Sequence, residues 1–191
     1  MKSDHPIQQQ DTRRDFLRRS ATVAAGATVA PLAVGRSAHA AGSDILKVGL
    51  IGCGGRGSGA AVNAMNAGDD VRLVAIGDLF ADRAEAALKN LKKAKPDQVV
   101  VDTDHVFDGF DAYQKVIGSD VDVVVIAAAS RFHPRFLKAA VDAGKHVFIE
   151  KPHSVHVPGL KVVEAACEDA RQKGLAVVSG LCHATLVFLA G

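Results

Sequence analysis

The chain has 191 residues, of which 48% are hydrophobic and 23% charged, and its formal net charge is +2. These values are typical of a globular protein with one main domain, and they exclude a collagen, a coiled coil and a disordered tail. The small net charge predicts no nucleic-acid partner. Because none of the three cysteines shows C-x-x-C spacing, neither a disulfide framework nor a structural metal site is predicted.

The first forty residues predict an export signal. The pair Arg13-Arg14 precedes an apolar stretch from Ala21 to Val34, and Ala38-His39-Ala40 supplies the small residues that a signal peptidase reads. The paired arginines resemble the twin-arginine signal, an address read by a receptor, and predict a periplasmic or other extracytoplasmic location. The apolar stretch is too short to span a bilayer, so no stable membrane anchor is expected. An amphipathic or disordered N-terminal arm is the alternative.

A glycine-rich turn joins the first predicted strand, Ile45 to Ile51, to an Ala-rich helix predicted from Ser58 to Ala67. The turn, Gly52-Cys53-Gly54-Gly55-Arg56-Gly57, matches the pattern G-x-G-x-x-G. Its first glycine permits a tight turn, its second lets a pyrophosphate approach the backbone, and its third lets helix and strand pack closely. The phosphates would bind the free N–H groups at the positive end of the helix. All six turn residues are therefore predicted to bind a dinucleotide.

An acidic residue follows the second predicted strand, Val71 to Gly77. Asp78 lies 21 residues after Gly57, where a carboxylate accepts hydrogen bonds from both hydroxyls of an adenosine ribose and repels a 2′-phosphate. NAD is therefore predicted as the cofactor in preference to NADP. Arg83 would weaken this preference, but the pattern places it on the exposed face of the next helix. The alternative is a purely structural turn with Asp78 as a helix cap. For Cys53 a reactive thiol is the alternative to the interpretation preferred here, a small residue that fits a loop whose backbone approaches phosphate.

The rest of the chain continues to alternate helices and strands. This alternation predicts an α/β fold, a doubly wound parallel sheet of the Rossmann type, over residues 41–182. Helices are predicted at 81–93, 110–117, 134–143 and 159–173, and strands at 98–101, 120–128, 146–150 and 175–179.

The segments that follow two later predicted strands carry side chains that are candidates for catalysis. Ligands of a parallel sheet gather at the carboxyl ends of its strands, where the sequence places Ala127, His133, Glu150 and Lys151. Lys151 and His133 are the candidate catalytic residues, and Ala127 and Glu150 are expected to border the cofactor. A cation such as Lys151 hydrogen-bonds a substrate hydroxyl and stabilises the alkoxide as hydride leaves. The alternatives are a solvated loop lysine and a helix N-terminal histidine without chemistry.

Two stretches of the sequence resemble the Gfo/Idh/MocA oxidoreductases, the relatives of glucose-fructose oxidoreductase and inositol 2-dehydrogenase. They are residues 48–57, VGLIGCGGRG, and residues 143–152, AGKHVFIEKP, and the likeness extends over about residues 45–182. The resemblance implies an N-terminal Rossmann domain that binds NAD(P). It also implies hydride transfer between a nicotinamide and a hydroxyl of a sugar, an inositol or a related polyol.

The same resemblance suggests roles for single residues. Lys151 falls on the lysine of the family's Glu-Lys-Pro motif, which contacts substrate and helps catalysis. His133 falls on the histidine of a second family stretch, in which Ala128 and Ala129 here replace the usual Thr and Pro. This departure affects the contacts expected on the nicotinamide side of the site.

Family members continue into a second α+β domain, which covers the cofactor, mediates oligomers and carries a proton-transfer histidine. The likeness ends near Cys182, and residues 183–191 are interpreted as a short tail unlike the family. A truncated or frame-shifted product is therefore expected, with little polyol dehydrogenation and no homo-oligomer. The alternative function is a stand-alone dinucleotide-binding module or a partner-dependent subunit. A non-redox nucleotide enzyme is disfavoured, because the turn lacks the G-K-[ST] ending of a P-loop.

Overall fold

The computed structural model describes residues 45–181, so the predicted export signal and the tail at 183–191 lie outside the described residues. Six strands and five α-helices alternate along this part of the chain. The strands are β1 (Leu46–Ile51), β2 (Val71–Asp78), β3 (Val106–Asp108), β4 (Val123–Ile126), β5 (His146–Ile149) and β6 (Val177–Ser179). The helices are α1 (Gly55–Asn66), α2 (Ala81–Ala94), α3 (Ala112–Gly118), α4 (His133–Asp142) and α5 (Val157–Gln172).

The strands form one sheet in the order β3-β2-β1-β4-β5-β6, and every neighbouring pair is parallel. This order describes two βαβαβ halves that start from adjacent central strands, which is the Rossmann arrangement. The predicted doubly wound α/β fold is therefore confirmed. The strand order reverses between β1 and β4, and the crevice outside their carboxyl ends is where such folds bind ligands.

Strand residues alternate between two apolar layers, one on each face of the sheet. In β4, Val124 and Ile126 belong to the layer that α3, α4 and α5 cover, whereas Val125 belongs to the layer under α1 and α2. Leu137 of α4 and Met65 of α1 are among the fully buried side chains that fill these layers. Burial on both faces explains why the central strands are continuous apolar runs in the sequence.

The third strand is not where the sequence pattern placed it. Residues 98–101 form only a single parallel bridge, between Val99 and Leu73, and the strand beside β2 is instead β3 at residues 106–108. Val99 and Val101 are buried and Val100 is exposed, as the strand pattern predicted. The Gln98 side chain, however, donates hydrogen bonds to the backbone carbonyls of Met65, Gly68 and Val71, and these bonds hold the segment against the connection between α1 and β2.

None of the helices between residues 45 and 181 is long and apolar enough to cross a membrane.

Candidate cofactor site

The turn after β1 depends on glycine at two positions for its own packing. Gly52 has a φ of +94°, and a Cβ there would lie 2.6 Å from backbone atoms of Ala127 and Ala128. A Cβ on Gly57 would lie 1.9 Å from the carbonyl oxygen of Gly52. Any larger side chain at these two positions therefore forces the turn away from β4 or α1 away from the turn.

The middle of the turn is open, in contrast to its ends. A Cβ on Gly54 or Gly55 would meet nothing within 4 Å, so no internal contact requires glycine at either position. Gly54 is the N-cap of α1, where no side chain caps the helix and no acidic residue occupies the first turn. The first N–H groups of a helix have no intrahelical partner and carry a partial positive charge. The open backbone at Gly54 and Gly55 therefore fits the pyrophosphate of a dinucleotide.

Asp78, the last residue of β2, connects this turn to the second strand. Its Oδ2 accepts a hydrogen bond of 2.7 Å from the Cys53 N–H, and its Oδ1 accepts one of 3.1 Å from the Phe80 N–H. The residue is only 8% exposed, and each carboxylate oxygen retains acceptor capacity for a second donor. Asp78 therefore holds the glycine turn in place and still offers acceptors to ribose hydroxyls.

Cys53 contributes to this site through its backbone. The side chain is buried, and its Sγ lies 3.5 Å from the carbonyl oxygen of Gly77. Burial, aided by the charge of Asp78, raises the pKa of the Cys53 thiol to about 12. The thiol therefore stays protonated at neutral pH and lacks the thiolate character of a nucleophile.

A crevice of about 200 Å³ lies at the carboxyl edge of the sheet, beside the turn and Asp78. Part of the lining consists of backbone and small residues, which include the predicted cofactor residue Ala127. The rest is largely aromatic and cationic, and the sequence did not point to most of it. The large side chains that line it are Phe80, Arg83, Phe110, Tyr113, Phe132, Arg135 and Phe136.

Arg83 is a correction to the sequence interpretation. It is exposed, as predicted, but it lines the crevice, and its guanidinium lies 5.1 Å from the centroid of the Phe80 ring. Phe80 and Phe110 are 51% and 75% exposed, although both are large and apolar. The position of Phe80, two residues after the end of β2, is a sequence signal that would have identified it, whereas Phe110 carried none because the third strand was predicted at 98–101.

Glu150 closes the opposite end of this edge, directly after β5. It is 4% exposed, and its Oε1 lies 2.9 Å from the Nε of Arg56, which belongs to the first turn of α1. Its Oε2 is buried and has no hydrogen-bond partner among residues 45–181. The Arg56–Glu150 ion pair thus joins the glycine-rich turn to the strand that precedes Lys151.

The two predicted catalytic residues have different environments. Lys151 is exposed at the same edge of the sheet, and no residue in the described part of the chain pairs with its ammonium group. His133 is 1% exposed at the start of α4, with its Nε2 2.8 Å from the carbonyl oxygen of Ala128, and the backbone carbonyl of Pro152 also acts on the ring. Burial lowers the pKa of the His133 imidazole, so the neutral ring donates from Nε2. This geometry suits a residue that positions the loop after β4 and does not itself contact substrate.

Comparisons with known proteins agree with this geometry. The chain is 31% identical to glycosyl hydrolase family 109 protein 2 of Shewanella sp. strain ANA-3, over 90% of this chain and 40% of that protein. It is 32% identical to inositol 2-dehydrogenase of Salmonella paratyphi B, over 66% of this chain and 35% of that enzyme. The solved structure of scyllo-inositol dehydrogenase from Lactobacillus casei, with bound NAD(H) and scyllo-inositol, has a TM-score of 0.56 and 26% identity, over 71% of this chain and 36% of the other.

The chain spans no more than 40% of the length of these relatives. The family model described as an oxidoreductase family with an NAD-binding Rossmann fold matches residues 46–180, nearly the whole described segment. The prediction of an NAD-binding Rossmann domain is therefore confirmed, and the chain belongs to the Gfo/Idh/MocA oxidoreductase family.

Proposed function

We propose that this chain provides the NAD-binding part of an oxidoreductase that transfers hydride between the nicotinamide and a hydroxyl carbon of a sugar or polyol. The observation that carries the proposal is the open backbone at Gly54, beside Asp78 and at the same sheet edge as Lys151. An anion-binding turn, a ribose acceptor and an unpaired cation are the groups that this reaction requires from a Rossmann domain.

Each group has a defined task in this proposal. The first turn of α1 binds the pyrophosphate, and Asp78 accepts hydrogen bonds from the adenosine ribose. Bound NAD supplies the hydride acceptor. Lys151 donates a hydrogen bond to the substrate hydroxyl and stabilises the negative charge that develops on its oxygen. His133 holds the loop after β4 through the Ala128 carbonyl, and the Arg56–Glu150 pair holds the β5 end against the turn.

The polyol substrate class is supported by the relatives. One is named inositol 2-dehydrogenase, and one solved structure holds scyllo-inositol together with NAD(H). Polyols carry several hydroxyls and no charge, so the substrate itself requires no charged partner, and Lys151 would act on the one hydroxyl that is oxidised.

A second candidate is glycoside hydrolysis that uses the same cofactor. The similarity that covers most of this chain, 90% of it, is to a protein named as a glycosyl hydrolase. NAD-dependent glycosidases are known as a mechanistic class. Because hydrolysis involves no net oxidation, hydride that leaves the sugar must return to it, and NADH does not accumulate.

The two candidate functions differ in the product that accumulates, which is NADH for dehydrogenation and the released aglycone for hydrolysis. The purified chain is first titrated with NAD by calorimetry, and it is then incubated with NAD and either inositols and hexoses or nitrophenyl glycosides. NADH absorbance with the free polyols favours dehydrogenation, and nitrophenol release without NADH favours hydrolysis. In either case Lys151→Ala should reduce the low turnover expected of this chain by about 100-fold or more while NAD affinity changes little, because the lysine acts on the transition state.

The matched control is Lys161→Ala, because Lys161 is an exposed lysine of α5. This variant should leave NAD affinity and turnover unchanged. Turnover that survives Lys151→Ala would contradict the catalytic role of that lysine. Tight NAD binding with no turnover on any of these compounds would favour the alternative of a stand-alone dinucleotide-binding module. Absence of NAD binding would overturn the proposed function itself.

We also propose that the protein is exported in folded form. The proposal rests on the sequence of residues 1–40 alone, with its paired arginines, mild apolar stretch and small-residue cleavage motif. Export of a folded protein is compatible with a cofactor that binds before translocation.

A further inference from the structure

Gly180, the residue that follows β6, packs directly against the carboxylate of Glu150. A Cβ on Gly180 would lie 2.8 Å from the Cδ and the Oε2 of Glu150 and 2.9 Å from its Oε1. Nonbonded atoms make ordinary contact at roughly 3.5 Å or more, so only a hydrogen atom fits at this position. The nearest neighbour of Gly180 is therefore the charged end of a side chain that belongs to another strand's carboxyl end.

The backbones on both sides of this contact are fixed by the sheet. The Gly180 N–H donates a hydrogen bond of 2.8 Å to the Ile149 carbonyl, and the Glu150 N–H donates one of 2.9 Å to the Ile126 carbonyl. Glu150 is 4% exposed, and its Oε2 has no hydrogen-bond partner among residues 45–181. Contact with Gly180, and not a hydrogen bond, therefore limits the movement of the carboxylate on that side.

The other oxygen of the same carboxylate holds a cation of the glycine-rich turn. The Oε1 of Glu150 lies 2.9 Å from the Nε of Arg56, whose side chain is 56% exposed in the first turn of α1. This pair uses one of the five N–H donors of the guanidinium and fixes the direction of the planar group. Arg56 directly follows the open backbone of Gly54 and Gly55, to which the pyrophosphate is proposed to bind.

We propose that Glu150 is a positioning residue for the dinucleotide: it holds Arg56 towards the pyrophosphate and is itself held in place by Gly180. A long side chain loses conformational freedom when it binds a ligand, and an ion pair formed beforehand reduces that cost. The packing at the end of β6 therefore sets the affinity of the turn that follows β1. The inference rests on the proposed dinucleotide binding and is independent of hydride transfer.

The decisive variant is Gly180→Ala, because it keeps every charge and changes only the space available to the carboxylate. Since both backbones are hydrogen-bonded, the flexible end of Glu150 should yield and its geometry with Arg56 should be lost. In calorimetric titrations of the full chain, NAD and ADP should bind about 3- to 10-fold more weakly. The thermal midpoint should stay within about 3 °C of that of the unsubstituted chain.

Gly68→Ala is the matched control for this variant. A Cβ on Gly68 would crowd the Oδ1 of Asp70 in the same manner, but at the start of β2, at the opposite edge of the sheet. Because this carboxylate lies far from the glycine-rich turn, the affinities for NAD and ADP should not change.

Further variants separate a positioning role from a merely structural one. Glu150→Gln keeps an acceptor oxygen for Arg56 and should bind NAD within about threefold of the unsubstituted chain, whereas Glu150→Ala should lose at least as much as Gly180→Ala. The double variant Arg56→Met/Glu150→Met replaces both partners and leaves no buried charge unpaired. In this background Gly180→Ala should not weaken NAD further, because its effect is transmitted through the pair.

Three results would overturn the inference. One is unchanged or increased NAD affinity in Gly180→Ala, and an increase would show that Glu150 withholds Arg56 from the phosphates. Another is an equal loss of affinity from Gly180→Ala with and without the Arg56–Glu150 pair. The third is a fall in the thermal midpoint of Gly180→Ala by about 8 °C or more, which would show that the backbone yields and not the carboxylate. Absence of NAD and ADP binding by the unsubstituted chain would contradict the proposed function as well, whereas these three results arise in a chain that binds NAD.

Discussion

The carboxylate of Asp78 accepts a hydrogen bond from the N–H of Cys53, 25 residues earlier in the chain, and Asp78 also lines the crevice. Replacement of Asp78 by alanine leaves the buried N–H of Cys53 without its acceptor, which lowers the free energy of unfolding by about 1–3 kcal/mol. Asp78→Ala should therefore lower the thermal midpoint, weaken NAD by about tenfold or more and narrow the advantage of NAD over NADP. Calorimetry with both dinucleotides and thermal denaturation measure these effects.

Asp82→Ala is the control for this prediction, since Asp82 is an exposed acidic residue four positions further along, in the first turn of α2. It should leave both affinities unchanged and alter stability by no more than about 0.5 kcal/mol. Unchanged affinity for both dinucleotides in Asp78→Ala would contradict the assignment of Asp78 to the ribose.

His133 makes stability depend on pH in a defined direction. Burial lowers the pKa of its imidazole below the ordinary value of 6.5, so the unfolded chain takes up this proton at a higher pH than the folded chain does. The stabilising contribution of neutral His133 is therefore present above pH 6.5 and is lost as the pH falls through 6.5 towards the lowered folded-state pKa.

The measurement compares urea denaturation of the unsubstituted chain and of His133→Leu at several pH values. The free energy of unfolding of the variant should fall less between pH 7.5 and pH 5.5, so the advantage of the unsubstituted chain narrows in acid. Between pH 7.5 and pH 8.5 the difference should stay constant. A constant difference over the whole range would show that His133 is not a buried neutral group.

At the scale of elements, the β1–α1 turn contains glycines that its own packing requires and glycines that we propose to bind the pyrophosphate. Gly57→Ala places a Cβ 1.9 Å from the Gly52 carbonyl oxygen, so α1 must move and the chain should lose several kcal/mol of stability, in the range of about 2–5. Gly54→Ala meets no atom within 4 Å and should keep its thermal midpoint, but its methyl group occupies the space that the pyrophosphate requires.

Thermal denaturation and NAD titration of both variants test this pair. The expected pattern is loss of stability in Gly57→Ala and loss of NAD affinity at unchanged stability in Gly54→Ala. Gly118→Ala, which also meets nothing within 4 Å and lies at the end of α3, serves as the control for both measurements. Full NAD affinity in Gly54→Ala would place the pyrophosphate elsewhere.

The elements also show how the site is assembled from distant parts of the chain. The glycine turn follows β1, Asp78 ends β2, the His133 loop follows β4 and Lys151 follows β5. Parallel strands place all of these ends at one edge of the sheet, where the glycine turn and Asp78 line the crevice and Lys151 and His133 lie outside its lining.

At the scale of the whole molecule, the export proposal predicts a specific location for the folded protein. Replacement of Arg13 and Arg14 by lysine should leave the chain in the cytoplasm, because the receptor of the twin-arginine route reads the arginine pair. Cell fractionation followed by immunodetection measures the distribution. The control is replacement of Arg18 and Arg19 by lysine, which keeps the pair and the net charge and should not change export. Export of the Arg13/Arg14 variant would contradict the twin-arginine interpretation.

Much of the fold was predictable because its signals are local in the chain. The apolar runs of β1, β2, β4 and β5, each bounded by turn residues and followed by a helical segment, predict a parallel sheet from residues that are neighbours in sequence. The same holds for the glycine turn and for the spacing to Asp78, since the turn, the helix and the second strand are consecutive. The third strand was misplaced because residues 98–101 and 106–108 both carry short apolar patterns, and only their contacts with β2 distinguish them.

The sequence by itself therefore determined the fold class, the dinucleotide turn and the identity of the candidate lysine. Tertiary structure alone decided the environment of each side chain: the burial of His133, the pairing of Glu150 with Arg56, and the position of Arg83 over Phe80 in the crevice. The physical reason is that backbone conformation follows from residues within a few positions of one another. Burial, ion pairing and pKa depend instead on groups that other strands and helices bring close, and no periodicity in the chain specifies them.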